Sequence, residues 1–216
     1  MATENGLLLT NRHVVLPWEY DEAAKIVIAQ GLAPVMRKLQ GYLPGLPEAF
    51  QVTLVLASDT SDLAVLESSD ITGRVAALPL ADRPPDSGDE VIVLGYPTGI
   101  RALLARADEA FMVELSKNQE LDFWAVAALL ASKGHIAPLA SRGIVAQVGP
   151  AAVVYDAETT RGGRGGPVLD LEGNVIAVTT AVVPEFGVSN LGVPSARARA
   201  LVYRAVLSRR RPIALR

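Results

Sequence analysis

Asp156-Ala157-Glu158-Thr159-Thr160-Arg161-Gly162-Gly163-Arg164-Gly165-Gly166-Pro167 is the stretch on which the reading of this 216-residue chain turns. Its glycines permit a sharp turn in which backbone N–H groups converge on one point, with room for another backbone close by. Taken alone, residues 161–166 are compatible with a flexible turn or a weak phosphate nest. Pro167 and the apolar Val168-Leu169 behind it mark instead a turn that feeds a strand.

Short strands surround this turn. Residues 143–148, 151–155, 167–170 and 174–180 are rich in Val, Ile and Leu, with Glu172-Gly173-Asn174 as a hairpin turn. Upstream, residues 25–29, 51–56, 62–67 and 90–95 repeat the rhythm between Gly, Pro, Asp and Ser clusters, and Gly6 to Val15 is a strand running into a polar turn that carries His13. Prolines and glycines in residues 34–47 exclude a long helix there beyond a turn at 35–40. Residues 82–87, with Pro84-Pro85, are the natural linker between two strand-rich halves.

The rhythm breaks at residues 100–133. Ile100, Leu103, Leu104, Ala107, Phe111 and Leu115 fall at helical spacing, as do Leu121, Trp124, Ala125, Ala128 and Leu129. We expect a helical hairpin turning at 116–120 and ending at Lys133-Gly134, with Phe111 and Trp124 in packing roles. A final helix is expected over about residues 195–208, with Arg209, Arg210 and Arg211 complementing its dipole in solvent.

Bulk properties narrow the function. Half of the residues are hydrophobic, enough for a real core, and a formal charge of -3 gives no global field for nucleic acid. There is no cysteine, hence no disulfide, thiolate metal site or cysteine nucleophile. No run reaches the roughly 18 apolar residues of a membrane helix, and the first residues lack a secretory pattern. No membrane insertion, metal or cofactor is expected; compartment and oligomeric state stay open. His135 has no partner at metal-ligand spacing, and residues 19–22 read as a solvated acidic turn.

Acyl transfer by serine needs a hydroxyl nucleophile, an imidazole base, a carboxylate to orient it and N–H donors aimed at the oxyanion. Thr10-Asn11-Arg12-His13-Val14-Val15, Ser61-Asp62-Leu63-Ala64-Val65-Leu66 and residues 156–167 stand in the corresponding order. Together they resemble the trypsin-like serine proteases of the HtrA/Deg branch, which carry T-N-x-H-V-V, D-L-A-V-L and D-A-x-x-x-x-G-N-S-G-G-P. Gly88-Asp89-Glu90-Val91 with Leu94-Gly95-Tyr96-Pro97, Gly143-Ile144-Val145 and Leu191-Gly192-Val193-Pro194-Ser195 are similar to further segments of that branch.

The resemblance implies an all-β fold of two antiparallel six-stranded barrels, with the helical hairpin inserted and a C-terminal helix. Residues 1–81 would form the N-terminal barrel, which starts without the family's opening strand, and 88–216 the C-terminal one. His13 would be the general base, Asp62 its orienter, and the backbone N–H groups of Gly162 and Arg164 the oxyanion hole. Residues 177–181 would pair with a peptide. Arg164 stands where the family has its nucleophilic serine. A guanidinium stays protonated and has no usable lone pair, so the expected protein is an inactive relative that keeps a peptide-binding cleft, with Arg164 paired to Asp62 or to an acidic ligand. The alternative is an active serine endopeptidase in a form with serine at 164.

Overall fold

The computed structural model describes residues 6–96, 103–117, 121–158, 163–183 and 189–210. Its centre is a closed antiparallel barrel of six strands in the order β10-β11-β8-β7-β6-β9. These are β6 (Glu90–Gly95), β7 (Leu139–Val148), β8 (Val153–Tyr155), β9 (Pro167–Leu169), β10 (Val175–Val183) and β11 (Ser189–Pro194). Val91, Val93, Val145, Val153, Val168 and Ile176 fill it, the branched side chains that suit a pleated, enclosed surface. Within this apolar interior the Tyr155 hydroxyl finds its partner in Thr179, donating to Oγ1 at 2.9 Å.

The N-terminal half departs from expectation. A second six-stranded barrel is not shown; among the described residues there is a three-stranded sheet in the order β1-β5-β4 and a separate ribbon, β2 with β3. The sheet comprises β1 (Leu7–Thr10), β4 (Thr53–Ala57) and β5 (Ala64–Glu67), and the ribbon β2 (Gln40–Gly41) and β3 (Phe50–Gln51). Part of the missing strand content lies at residues 25–29, which form not a strand but the end of a helix. Helix α1 (Arg12–Val15) carries His13, and α2 (Glu22–Ala29) replaces the expected strand. Asp21 accepts a hydrogen bond from the Ala24 N–H at 2.9 Å, and Glu22 pairs with Lys25 across one turn. This cap outweighs the strand preference of Ile26-Val27-Ile28, whose side chains are exposed and receive no packing from a sheet. The helical turn expected at 35–40 is also absent, the chain running irregularly into β2 at Gln40.

β5 is the middle strand, and its Ala64, Val65 and Leu66 are all buried because both of its faces are covered. On one face Leu63 and Val65 join Leu7, Leu9 and Val178 with Ala198, Leu201 and Ala205 of the C-terminal helix, α5 (Ser195–Arg210). On the other, Ala64 and Leu66 meet Val15 beneath α1. The helix therefore wedges sheet and barrel into one body. Arg209, expected to lie in solvent, pairs with Glu67 of β5. Ahead of the linker, the Ala81 N–H donates to the Val175 carbonyl at 2.9 Å and the Val175 N–H to the Pro79 carbonyl at 2.7 Å, stitching residues 79–81 to β10.

The insertion contains two helices, α3 (Glu109–Ser116) and α4 (Phe123–Ser132), started by Asp108 and Asp122 as side-chain caps. Its turn at 118–120 and its beginning at 100–102 lie outside the described residues. Phe111, Leu130, Ala131 and Ile136 make its own small core. The α4 helix ends at Lys133-Gly134, with Gly134 at φ 75°, and Lys133 reaches back to Glu114 of α3 at 2.9 Å. His135 packs edge-on against Phe111, ring centroids 4.6 Å apart, and Lys38 stands 4.2 Å above the Trp124 ring. Among the described residues no helix is long and apolar enough to cross a membrane.

Burial pushes the Tyr155 phenol up to about 12, because the barrel interior disfavours phenolate while the unfolded chain ionises near the ordinary value of 10.0. Above pH 10 the unfolded chain then binds fewer protons than the folded one, so stability falls as pH rises from about 10 towards about 12. Urea midpoints measured over that range should decline in the parent, and Tyr155→Phe should flatten the decline.

Candidate active site

Strand β1 stops at Thr10, where Asn11 takes an extended conformation (φ -82°, ψ 150°) at the start of α1. The Asn11 side chain is fully buried and does not cap α1; its Nδ2 donates to the Asp62 backbone carbonyl at 2.9 Å. That bond ties the β1–α1 corner to the loop before β5. The same loop is folded on Ser58, whose buried Oγ accepts from the N–H groups of Thr60 and Ser61 at 3.3 and 3.2 Å.

The two corners bring His13 and Asp62 together. His13 Nδ1 lies 2.7 Å from Asp62 Oδ2, and the His13 backbone N–H donates to Asp62 Oδ1 at 3.0 Å. Thr180, on β10, donates its hydroxyl to Asp62 Oδ2. Both ring and carboxylate keep about a fifth of their surface, with side-chain exposures of 20% and 21%. A carboxylate on Nδ1 fixes the ring so that Nε2 is left for proton transfer. Tyr20 meets the His13 ring edge-on at 5.8 Å between centroids. Burial, and then the Asp62 charge, hold the Tyr20 phenol above its ordinary range.

Arg12, beside the histidine, is held on three sides. Its Nε and Nη2 grip both oxygens of Glu19 at 2.7 and 3.0 Å, and Nη1 donates to the Ser58 carbonyl at 2.7 Å and to Asp59 at 3.2 Å. The Glu19 bonds keep the guanidinium protonated well beyond its ordinary range against the opposing effect of burial. Residues 19–22, expected to be a solvated acidic turn without a role, thus include the anchor of the α1 corner and the cap of α2.

The glycine turn is clamped from three directions. The Gly165 N–H donates to the Thr179 carbonyl at 2.9 Å, the Thr179 N–H to the Gly166 carbonyl at 3.0 Å, and the Gly166 N–H to the Gly163 carbonyl at 3.0 Å. Gly165 sits at φ 80°, where L side chains are strained, and a Cβ there would stand 2.8 Å from Thr10 Oγ1 and 3.4 Å from the Asn11 nitrogen. A Cβ on Gly166 would stand 2.1 Å from the Leu94 carbonyl oxygen. The turn is thereby seated against Thr10-Asn11, immediately before the His13 helix, and against β6.

Arg164 itself is exposed, and it makes no hydrogen bond or ion pair with any described residue. The expected pairing with Asp62 is not formed: that carboxylate is taken up by His13 and Thr180, which already supply both of its oxygens with donors. Gly162, expected in the oxyanion hole, lies outside the described residues, as do residues 159–161. Next to the turn opens a cleft of about 430 Å³ lined by Leu8, Val14, Leu39, Tyr42, Phe50, Arg164 and others. Among the described residues no group of three His, Cys, Asp or Glu side chains could hold a metal ion.

A family model described as the trypsin-like peptidase domain matches residues 2–178. The chain belongs to this family. Among solved structures it is similar to a serine endoprotease from Yersinia pestis, with TM-score 0.63 at 17% identity over 96% of this chain and 56% of that one. It is also similar to a protease from M. tuberculosis in its active form, with TM-score 0.61 at 16% identity over 94% of this chain and 70% of that one. An inactive serine-to-alanine mutant of the same M. tuberculosis protein gives TM-score 0.61 at 16% identity, over 99% of this chain and 82% of that one. At these identities the likeness is one of fold. The chain spans 56% of the length of the Yersinia structure. No curated protein matches it.

Thr180, Glu19 and Tyr20 are the site neighbours that sequence reasoning missed. Thr180 stands where the β10–β11 register shifts between Thr179 and Ala181, so simple strand alternation from the barrel-facing Thr179 does not locate it. Because the clamp leaves no room for a methyl group, Gly166→Ala should cost about 1–3 kcal/mol in urea unfolding. Arg164→Ala, at an exposed position, should change the unfolding free energy measured in the same way by less than about 0.5 kcal/mol.

Proposed function

We propose that this domain is a pseudoprotease, a member of the trypsin-like peptidase family that keeps the peptide cleft and base pair but has lost its nucleophile. The observation that carries the reading is Arg164, an exposed cation in the glycine turn at the position where the family motif has serine. His13 is the general base and Asp62 its orienter, with Gly162 and Arg164 backbone N–H groups as oxyanion donors; the 2.7 Å contact between His13 and Asp62 supports the first two roles. The domain divides at residues 82–87, with His13 and Asp62 before the linker and the turn after it. In chemical terms the base has nothing to deprotonate. Loss of a triad serine lowers turnover by about 10⁶, and a long guanidinium beside the scissile bond obstructs it further.

Peptide is the ligand class of this reading. Of the residues 177–181 expected to meet a peptide, Ala177 and Val178 are paired with β9 and Thr179 with the glycine turn, while the pairing of β10 with β11 continues through Val183, so residues 180–183 run beyond the end of β9. An extended peptide adds there as a strand. A second reading, an active endopeptidase in a form with serine at 164, is favoured by the same His13–Asp62 contact, since it leaves one residue between this chain and a full triad.

Serine-directed fluorophosphonate labelling tests both. The purified chain should take up no label, and Arg164→Ser should label and hydrolyse a casein substrate. Labelling of the parent chain would overturn the pseudoprotease reading. Codon 164 adds a check: an AGA or AGG arginine is one nucleotide from serine, whereas a CGA or CGG arginine is more than one away.

A further inference from the structure

Among the described residues, the cleft next to the glycine turn combines an apolar wall with a single charge. Its volume, about 430 Å³, falls within the roughly 300–1,000 Å³ of ordinary ligand sites, and aliphatic and aromatic residues such as Leu8, Val14, Leu39, Tyr42 and Phe50 line it. Among its described lining residues Arg164 is the one with a charged side chain, and no acidic residue lies among them. Arg164 forms no ion pair with any described residue, in contrast to Arg12, Arg142, Arg199 and Arg209, each of which holds a carboxylate.

A lone guanidinium at the edge of an apolar cleft selects its ligand on two counts. Its planar fork matches a carboxylate bidentately, and an apolar group packed beside it excludes water and so strengthens the attraction. A cleft of this composition also disfavours peptide groups. Among the described lining residues Thr10 and Gln40 supply the polar side chains besides Arg164 and the tyrosines, so a chain passing through would bury N–H and C=O groups with few side-chain partners. A chain end brings one such run rather than two and carries its own charge.

We propose that the cleft captures the C-terminal carboxylate of a peptide ending in an apolar residue, with the carboxylate on Arg164 and the last side chain against Leu39, Tyr42 and Phe50. The proposal rests on the reading of this domain as a pseudoprotease. In that setting the captured chain end has the form of a product of peptide hydrolysis, held where a nucleophile is missing.

The probe is a pool of N-terminally fluorescein-labelled hexapeptides with random apolar residues at the last three positions. It is prepared as free acids, as matched C-terminal amides, and as amides with one internal glutamate. Fluorescence anisotropy with the whole chain should show the free acids binding at least about tenfold more tightly than the amides, the scale of one charge-assisted hydrogen bond. Arg164→Ala should abolish that preference and Arg164→Lys keep part of it. Raising the salt concentration should narrow the gap between acids and amides.

Equal binding of acids and amides, or a preference that survives Arg164→Ala, overturns carboxylate capture while leaving the pseudoprotease reading intact. Tighter binding of the internal-glutamate amides overturns the terminal source of the carboxylate. Absence of binding by all three pools overturns the proposal, and cleavage of the labelled peptides by the parent chain overturns the reading beneath it. Circular dichroism of the Arg164 variants should match the parent, since the side chain is exposed and unbonded among the described residues.

Discussion

The carboxylate of Asp62 is a point at which the N-terminal sheet region, α1 and the barrel meet. It accepts from the backbone and ring of His13 on α1 and from the hydroxyl of Thr180 on β10. Bonds to a charged acceptor contribute about 1.5–3 kcal/mol each, and leaving one unmade in a half-buried setting costs on the same scale. The loop before β5 supplies the carboxylate, the short helix the imidazole, and the barrel the hydroxyl. The surrounding contacts act to keep these three in register: Asn11 on the Asp62 carbonyl, Arg12 on Glu19 and Ser58, and the apolar wedge of α5 beneath.

How much of this was legible in the sequence follows from how local each determinant is. The motif around His13, the Asp62 to Leu66 segment and the glycine turn could be read because each packs its requirement into adjacent residues. The barrel strands could be read from Val- and Ile-rich runs between turn residues. Helix α2 misled because Ile26-Val27-Ile28 has strand chemistry but no sheet to enter, while Asp21 caps the helix by accepting from the Ala24 N–H and Glu22 pairs with Lys25. Thr180 and Glu19 were invisible because their partners lie far away in the chain or in a fold of the loop that no spacing reveals. The first barrel was read from the resemblance rather than from the residues, and the described strands amount to a three-stranded sheet and a ribbon.

The helical insertion is tied to the site more closely than its place in the sequence suggests. Tyr42 and Tyr96 pack against the insertion core of Phe111, Leu130 and Ile136, and both also line the cleft beside the glycine turn. Burial raises both phenols above their ordinary range, as befits rings enclosed between two layers. The insertion thus forms the backing of the cleft wall, and a change in how α3 and α4 pack is felt where a ligand would lie.

In the glycine turn, structural need and chemical identity are carried by different atoms. The shape is written in backbone bonds to Thr179 and in the lack of room at Gly165 and Gly166, whereas residue 164 leaves its side chain exposed at the cleft. A lineage can therefore exchange the side chain at 164 with little penalty to folding, while its neighbours stay fixed by the barrel. In evolutionary terms the scaffold separates foldability from side-chain identity, so that position 164 can vary while the shape of the turn is kept.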